Sequence, residues 1–274
     1  MLKQVIAVVG MPRSGTSWLG QLFNSSPHVR FRMEPIFSYA FKDAVNEHSS
    51  AQQYKTFFED IYNSDDSFMR QIDKSKSGEY PNFLKTPQPT HLVFKTTRYH
   101  HILRNMLQEN NNLKIIAIVR HPCGAISSWL NTPSEFPADA VANDEWKTGQ
   151  CRNLAVEEFW GFNDWKTVTS LHLELQKDFP ENFKIIRYES LVNSTGSKVQ
   201  EIFDFCVLEL KKQTLLFLEN THRKNDDRPY SVYKSKSVTG KWQKLLPEEI
   251  IDQIFKELRD SELKQFLNTL QTDQ

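Results

Sequence analysis

Apolar residues are distributed along this chain in two ways. Some form short unbroken runs; others recur every three or four positions over longer stretches. Residues 5–9 (VIAVV) and Leu113–Val119 (LKIIAIV) are the strongest runs. A run that does not alternate polar with apolar predicts a strand buried on both faces, as in a parallel sheet covered by helices. Residues 29–32, His91–Thr96 and Phe183–Arg187 predict three further strands. Helical spacing begins at Thr16 with Trp18, Leu19, Leu22 and Phe23, and returns over 37–45, 52–61, 98–107 and onward from Pro122. A long helix is predicted over 151–176, with Leu154, Val156, Phe159, Phe162, Trp165, Val168 and Leu171 inward. Shorter helices are predicted over 199–205, 210–218 and 247–270. Residues 64–80 are polar and charged and predict an exposed connection, and 133–150 has no clear period and predicts a mobile lid or acceptor loop. Strands alternating with helices, with no internal repeat, predict one α/β domain over 1–274, a three-layer α/β/α fold around a mainly parallel central sheet.

Between the first strand and its helix stands Gly10-Met11-Pro12-Arg13-Ser14-Gly15-Thr16-Ser17-Trp18. Strand, glycine loop and helix N-terminus together hold a phosphate on free backbone N–H groups and the positive end of the helix dipole. The nucleoside-triphosphatase loop places a lysine after its second glycine. Here that slot holds Thr16, and the cation sits earlier, at Arg13. This argues against ATP or GTP hydrolysis. It suits a 5′-phosphate held by amides and hydroxyls, with one cation aimed at the leaving group.

Composition narrows the partners. Lys plus Arg number 34 and Asp plus Glu 34, so no global field favours nucleic acid or an anionic membrane. No apolar stretch is long enough for a membrane span, and the first residues lack a signal-peptide pattern. Cys123, Cys151 and Cys206 are few and widely spaced. They suit a reducing compartment better than a disulfide frame or a zinc site, so a cytoplasmic location is expected. The glycosylation triplets at Asn24 and Asn193 are read as chance.

The segment Pro12-Arg13-Ser14-Gly15-Thr16-Ser17-Trp18 resembles the 5′-phosphosulfate loop of sulfotransferases that use 3′-phosphoadenosine 5′-phosphosulfate (PAPS). The resemblance implies that Arg13, Ser14, Gly15, Thr16, Ser17 and Trp18 bind this donor. It extends to Arg120 and Ser128, eight residues apart after the second strong strand. In the family an arginine and a serine so placed hold the nucleotide 3′-phosphate; Ser127 is the neighbouring competitor. Glu34 follows Arg13 by 21 residues, after Pro27-His28-Val29, where protein-tyrosine and carbohydrate members carry a catalytic glutamate. A structural ion pair of Glu34 with Arg13 or Arg32 is the alternative. Lys95-Thr96 resembles the K-T-H segment of cytosolic members, but the position of their catalytic histidine holds Thr97. That departure favours Glu34 as base and leaves Lys95 as a cation beside the transferred group. Tyr188 resembles a tyrosine near the adenine ring. The basic stretch 221–244 resembles a loop that closes over the nucleotide, with Lys236, Ser237 and Lys241 as candidates.

The expected activity is in-line transfer of a sulfuryl group from PAPS to a hydroxyl of an acceptor, with Glu34 as base, Arg13 and Lys95 stabilising charge, and no metal. The acceptor class stays open among phenol, sugar, lipid and peptide hydroxyls, and so does the oligomeric state. Two other classes remain possible at this stage: an ATP- and magnesium-dependent P-loop kinase, and a nucleotide-binding module without catalysis.

Overall fold

The computed structural model describes residues 2–223, 232 and 239–268. Among the described residues five strands are formed: β1 (Gln4–Val9), β2 (Val29–Met33), β3 (His91–Thr96), β4 (Leu113–Val119) and β5 (Phe183–Arg187). They pair in the order β2-β3-β1-β4-β5, and every pairing is parallel. β1 is therefore central, and all five strands end at the same edge of the sheet.

The unbroken apolar run of β1 has a direct cause in the layers above and below it. Ile6 and Val8 face a cluster that includes Leu19, Leu22 and Phe23 of α1 (Thr16–Asn24) and Val199, Ile202 and Phe203 of α9 (Thr195–Phe205). Val5, Ala7 and Val9 face the opposite layer, with Tyr54, Phe57, Phe58 and Ile61 of α2 (Ala51–Asn63) and Leu103, Met106 and Leu107 of α4 (Leu103–Gln108). Period 2 thus sends apolar groups to both faces. A third cluster joins α5 (Pro122–Leu130), α7 (Gly161–Asp178) and α12 (Glu248–Leu258) through Ile126, Trp165, Ile250 and Ile254. The three-layer α/β/α architecture expected from the sequence is what forms. No helix among the described residues is long and apolar enough to cross a membrane.

Four stretches differ from the expectation, the first being 133–150, where Ala142–Thr148 forms a helix that buries Trp146. Residues 37–45 form turns, not a helix. The chain leaves a short 3₁₀ turn at Pro35–Phe37, Ser38 bonds its hydroxyl back to the Pro35 carbonyl, and Asp43 takes a positive φ. Residues 64–80 are not simply an exposed connection, because α3 (Ile72–Lys76) forms there and Met69 and Tyr80 are buried. The long helix begins only at Gly161. Before it, Leu154 and Val156 are 83% and 78% exposed rather than inward.

Buried histidines make the fold acid-sensitive. His100 and His172 pack ring against ring with centroids 5.3 Å apart, and His172 also lies against Phe183. Burial pushes His100 down from 6.5 to about 4. Burial does the same to His121, also to about 4. His172 is lowered by burial and then by the charge of His100. The unfolded chain takes up protons near pH 6.5 and the folded chain does not until about 4, so stability falls as pH drops through that window. The urea midpoint is expected to decline between pH 7 and pH 5, and His172→Gln, which cannot titrate, is expected to flatten the decline. An unchanged slope in that variant would contradict this origin.

Candidate active site

The strand ends assemble the site. After Val9 the chain turns through Met11–Ser14, closed by a 3.2 Å hydrogen bond from Ser14 N to the Met11 carbonyl, with Arg13 at φ 66°. Gly15 caps α1 at φ 96°, and no side chain caps the helix. The first-turn N–H groups thus stay available to an anion. A side chain at position 15 would place its Cβ 2.6 Å from Cδ2 of Tyr188, so the tyrosine ring packs directly on the loop. Trp18 meets the same ring edge-on, with centroids 6.4 Å apart.

Arg120 follows β4, beside the loop because Val9 pairs with Ala117. Its backbone is fixed on both sides: Trp165 Nε1 donates to the Arg120 carbonyl at 3.0 Å, and the next N–H, of His121, donates to Glu189 Oε1 at 3.0 Å. The Arg120 guanidinium lies 4.9 Å from the centre of the Tyr188 ring. Its Nη1 donates to the Arg13 carbonyl at 2.9 Å. Arg13 Nε in turn donates to Ser128 Oγ at 3.3 Å and lies 3.6 Å from Glu135 Oε2. The two separate motifs, Arg13–Trp18 and Arg120–Ser128, are therefore one cluster. Ser128, not Ser127, lines the cavity. Arg120 Nε and Trp18 Nε1 are buried without a hydrogen-bond partner.

The ends of β2 and β3 supply the third part. Met33 pairs with Lys95, and Glu34 N donates to the Lys95 carbonyl at 2.7 Å, which sets the two side chains next to each other. Glu34 itself takes a positive φ of 42°. Its Oε1 accepts three hydrogen bonds: from Lys95 Nζ at 2.8 Å, from Thr97 N at 3.0 Å and from Thr97 Oγ1 at 2.8 Å. Oε2 is buried and accepts none. Burial alone would raise the Glu34 pKa. The charges of Lys95 and Arg98 and the bonds from Lys95 and Thr97 outweigh it, and the carboxyl is held below its ordinary value. Glu34 is ionised at neutral pH.

These groups line one cavity of about 600 Å³ at the carboxyl edge of the sheet, where open parallel sheets bind their ligands. Of the residues singled out from the sequence, Arg13, Gly15, Thr16, Ser17, Trp18, Glu34, Lys95, Arg120, Ser128 and Tyr188 line it. Ser14 is buried within the loop. Lys241 is exposed, precedes α11 (Trp242–Leu245) and does not line the cavity. Lys236 and Ser237 lie outside the described residues. The sequence pattern did not single out Arg98, Glu135, Arg152 and Trp160, which also line it. Arg98 directly follows the Lys95–Thr97 segment and was within reach of motif reading. Arg152 and Trp160 are delivered by a loop whose fold depends on distant partners.

A buried ion pair tolerates loss of both partners better than loss of one. Lys95→Met removes the ion-pair partner of the buried Glu34 carboxylate, leaving only Thr97 and the charge of Arg98, and is expected to cost about 3–5 kcal/mol in urea unfolding. Adding Glu34→Leu is expected to recover most of that loss. A double variant as unstable as Lys95→Met alone would mean that the pair is not what sets the cost.

Residues 5–212 match the family model described as Sulfotransferase family. Carbohydrate sulfotransferase 1 of Danio rerio is 22% identical over 317 residues, covering 91% of this chain and 74% of the relative. Among solved structures, a mouse sulfotransferase complexed with PAP superposes with a TM-score of 0.57 at 17% identity, over 97% of this chain and 88% of the other. Retinol dehydratase in complex with retinol and PAP gives 0.55 at 14% identity, over 95% and 81%. The sulfotransferase domain from the curacin biosynthetic pathway gives 0.53 at 18% identity, over 94% and 98%. At these identities the structures share the fold. The family match spans most of the chain, which belongs to the sulfotransferase family.

Proposed function

We propose that this sulfotransferase moves the sulfuryl group of PAPS to an acceptor hydroxyl, with Glu34 as the proton acceptor. The observation that carries the reading is Glu34 itself. One carboxylate oxygen is engaged by Lys95 and Thr97, the other is buried without a partner, and the residue belongs to the cavity lining. A fixed orientation with one lone oxygen is what a positioned base requires.

The residues present fit the donor. The uncapped start of α1 suits its 5′-phosphosulfate, and a Cβ at Gly15 would press on Tyr188 and close that cradle. Arg120, with its buried Nε unsatisfied, and Ser128 would hold the 3′-phosphate. Trp18, Tyr188 and Val192 would flank the adenine. The donor brings an activated sulfuryl group whose leaving oxygen develops negative charge. Arg13 stands at the loop where that charge appears, and Lys95 keeps two further N–H donors beyond the one given to Glu34. Glu34, with its lowered pKa, is a weak base that stays charged. It accepts the proton as the new S–O bond makes the hydroxyl acidic. Thr97 holds Glu34 by two bonds, so the residue that replaces the histidine of cytosolic relatives serves the glutamate. A cytoplasmic setting belongs to the same proposal and rests on the free thiols of Cys123, Cys151 and Cys206.

Glu34→Gln is expected to lower turnover about 10²–10⁴-fold with any phenol or sugar acceptor that the wild type sulfates, while adenosine 3′,5′-bisphosphate binds as before. Wild-type turnover in that variant would remove Glu34 from the role of base.

A further inference from the structure

The cavity wall carries more cations than its carboxylates neutralise. Lys95 is paired with Glu34 at 2.8 Å, Arg98 with Glu158 at 2.8 Å, Lys74 with Glu79 at 3.3 Å, and Arg13 lies 3.6 Å from Glu135. Among the described residues, the lining cations that make no ion pair are Arg120 and Arg152. Arg120 is accounted for on the donor side. The guanidinium of Arg152 makes no hydrogen bond among the described residues, its Nε is buried without a partner, and its carbon lies 5.2 Å from the centre of the Trp160 ring. Asp73, the other lining carboxylate, is exposed and pairs with none of these groups.

Arg152 does not sit in a mobile segment. The loop 149–160 is pinched shut at its base, where Gly149 and Gly161 approach so closely that a Cβ at Gly149 would lie 2.4 Å from the Trp160 carbonyl oxygen. Asn153 ties the interior: its Nδ2 donates to the Thr148 carbonyl at 2.9 Å and to Asp164 Oδ2 at 2.7 Å, and its Oδ1 accepts from Trp160 N at 2.9 Å. The Trp160 ring packs on Trp129, with centroids 5.5 Å apart. The loop is also fastened to the exit of β3. Tyr99 N donates to the Glu157 carbonyl at 3.3 Å, and the Glu158 carboxylate takes Arg98 Nε on one oxygen and Trp160 Nε1 on the other, each at 2.8 Å. Arg98 directly follows Thr97, which holds Glu34. Arg152 and Trp160 thus line the cavity on a loop fastened to Arg98, next to the segment that holds Glu34.

We infer that the acceptor is itself an anion: a hydroxyl-bearing ring compound whose carboxylate or sulfate is held by Arg152 while Trp160 flanks the ring. This rests on the sulfuryl-transfer reading above. An arginine on the cavity lining with no ion pair or hydrogen-bond partner among the described residues can give an acceptor anion a charge-assisted bond through its guanidinium. Trp160 adds a flat apolar face beside the cation, which suits either an aromatic ring or a sugar.

The test uses protein saturated with adenosine 3′,5′-bisphosphate and two matched probe pairs. One pair is 4-hydroxyphenylacetate and its methyl ester; the other is the methyl glycosides of glucuronic acid and glucose. In at least one pair the anionic member is expected to bind about tenfold or more tightly, a typical effect of one charge-assisted bond. Which pair responds identifies the ring as aromatic or sugar. Arg152→Gln is expected to erase the preference while the neutral member's affinity stays within about twofold, and Arg152→Lys to restore part of it. Equal affinities within both pairs overturn the inference, and so does an Arg152→Gln loss that strikes both members alike. Nucleotide binding is read first and separately. If the bisphosphate does not bind the wild type, the sulfuryl-transfer reading falls and this one with it; if it binds and no charge preference follows, this one alone falls.

Discussion

Everything at the site follows from parallel strand pairing with β1 in the centre. Because all five strands run the same way, Arg13, Glu34, Lys95, Arg120 and Tyr188, each at or just beyond a strand end, arrive at one edge although 175 residues separate the first from the last. Each parallel connection must cross a face of the sheet, so the crossovers are also the two apolar layers that bury it. The same constraint therefore makes the core and gathers the polar groups. Within β3, a slip of one residue would turn Lys95 to the opposite face of the sheet.

At that edge the dominant local interaction is the buried contact of Glu34 with Lys95 and Thr97. Burial acts against a carboxylate, and here the opposing charges and three hydrogen bonds to a single oxygen win. Such an arrangement is poor evidence for stability, since replacing both partners by apolar groups is often neutral. What it does is fix direction. With one oxygen engaged, the orientation of the whole carboxylate is set. Tyr188 has a comparable role at the Gly15 loop, filling the space above Gly15 and lying against Arg120, so that loop and cation meet the same ring.

The parts of this molecule legible in its sequence are those dictated by short-range rules. β1 and β4 are visible because burial on both faces forces continuous apolar runs, and the start of α1 because a glycine must take the left-handed turn before it. Arg120 and Ser128 are legible through the resemblance to the sulfotransferases, which places such a pair after a buried strand and along the next helix. Residues 37–45 show a helical spacing, yet Ser38 and Asp43 favour turns, and the aromatics are used elsewhere. The segment 149–160 misleads for a different reason. Val156, Phe159 and Phe162 recur at helical spacing, but the shape of the loop is set by the approach of Gly149 to Gly161 and by the bonds of Asn153 to the backbone at both ends of the loop. Those contacts have no signature in local sequence. The function of Thr97 was equally hidden, since its importance lies in a hydroxyl meeting Glu34, 63 positions away.

The central claim is that the loop at Arg13 and the pair Arg120–Ser128 form one site for a 3′-phosphorylated adenosine nucleotide. The most direct measurement is thermal unfolding with adenosine 3′,5′-bisphosphate, compared with AMP, ADP, and ATP with and without magnesium. A ligand binding only the folded state at 100 times its dissociation constant adds about 2.7 kcal/mol, a clear shift in midpoint. The account predicts stabilisation that requires the 3′-phosphate and disappears in Arg120→Ala. Stabilisation by ATP with magnesium alone, and none by the bisphosphate, would contradict it.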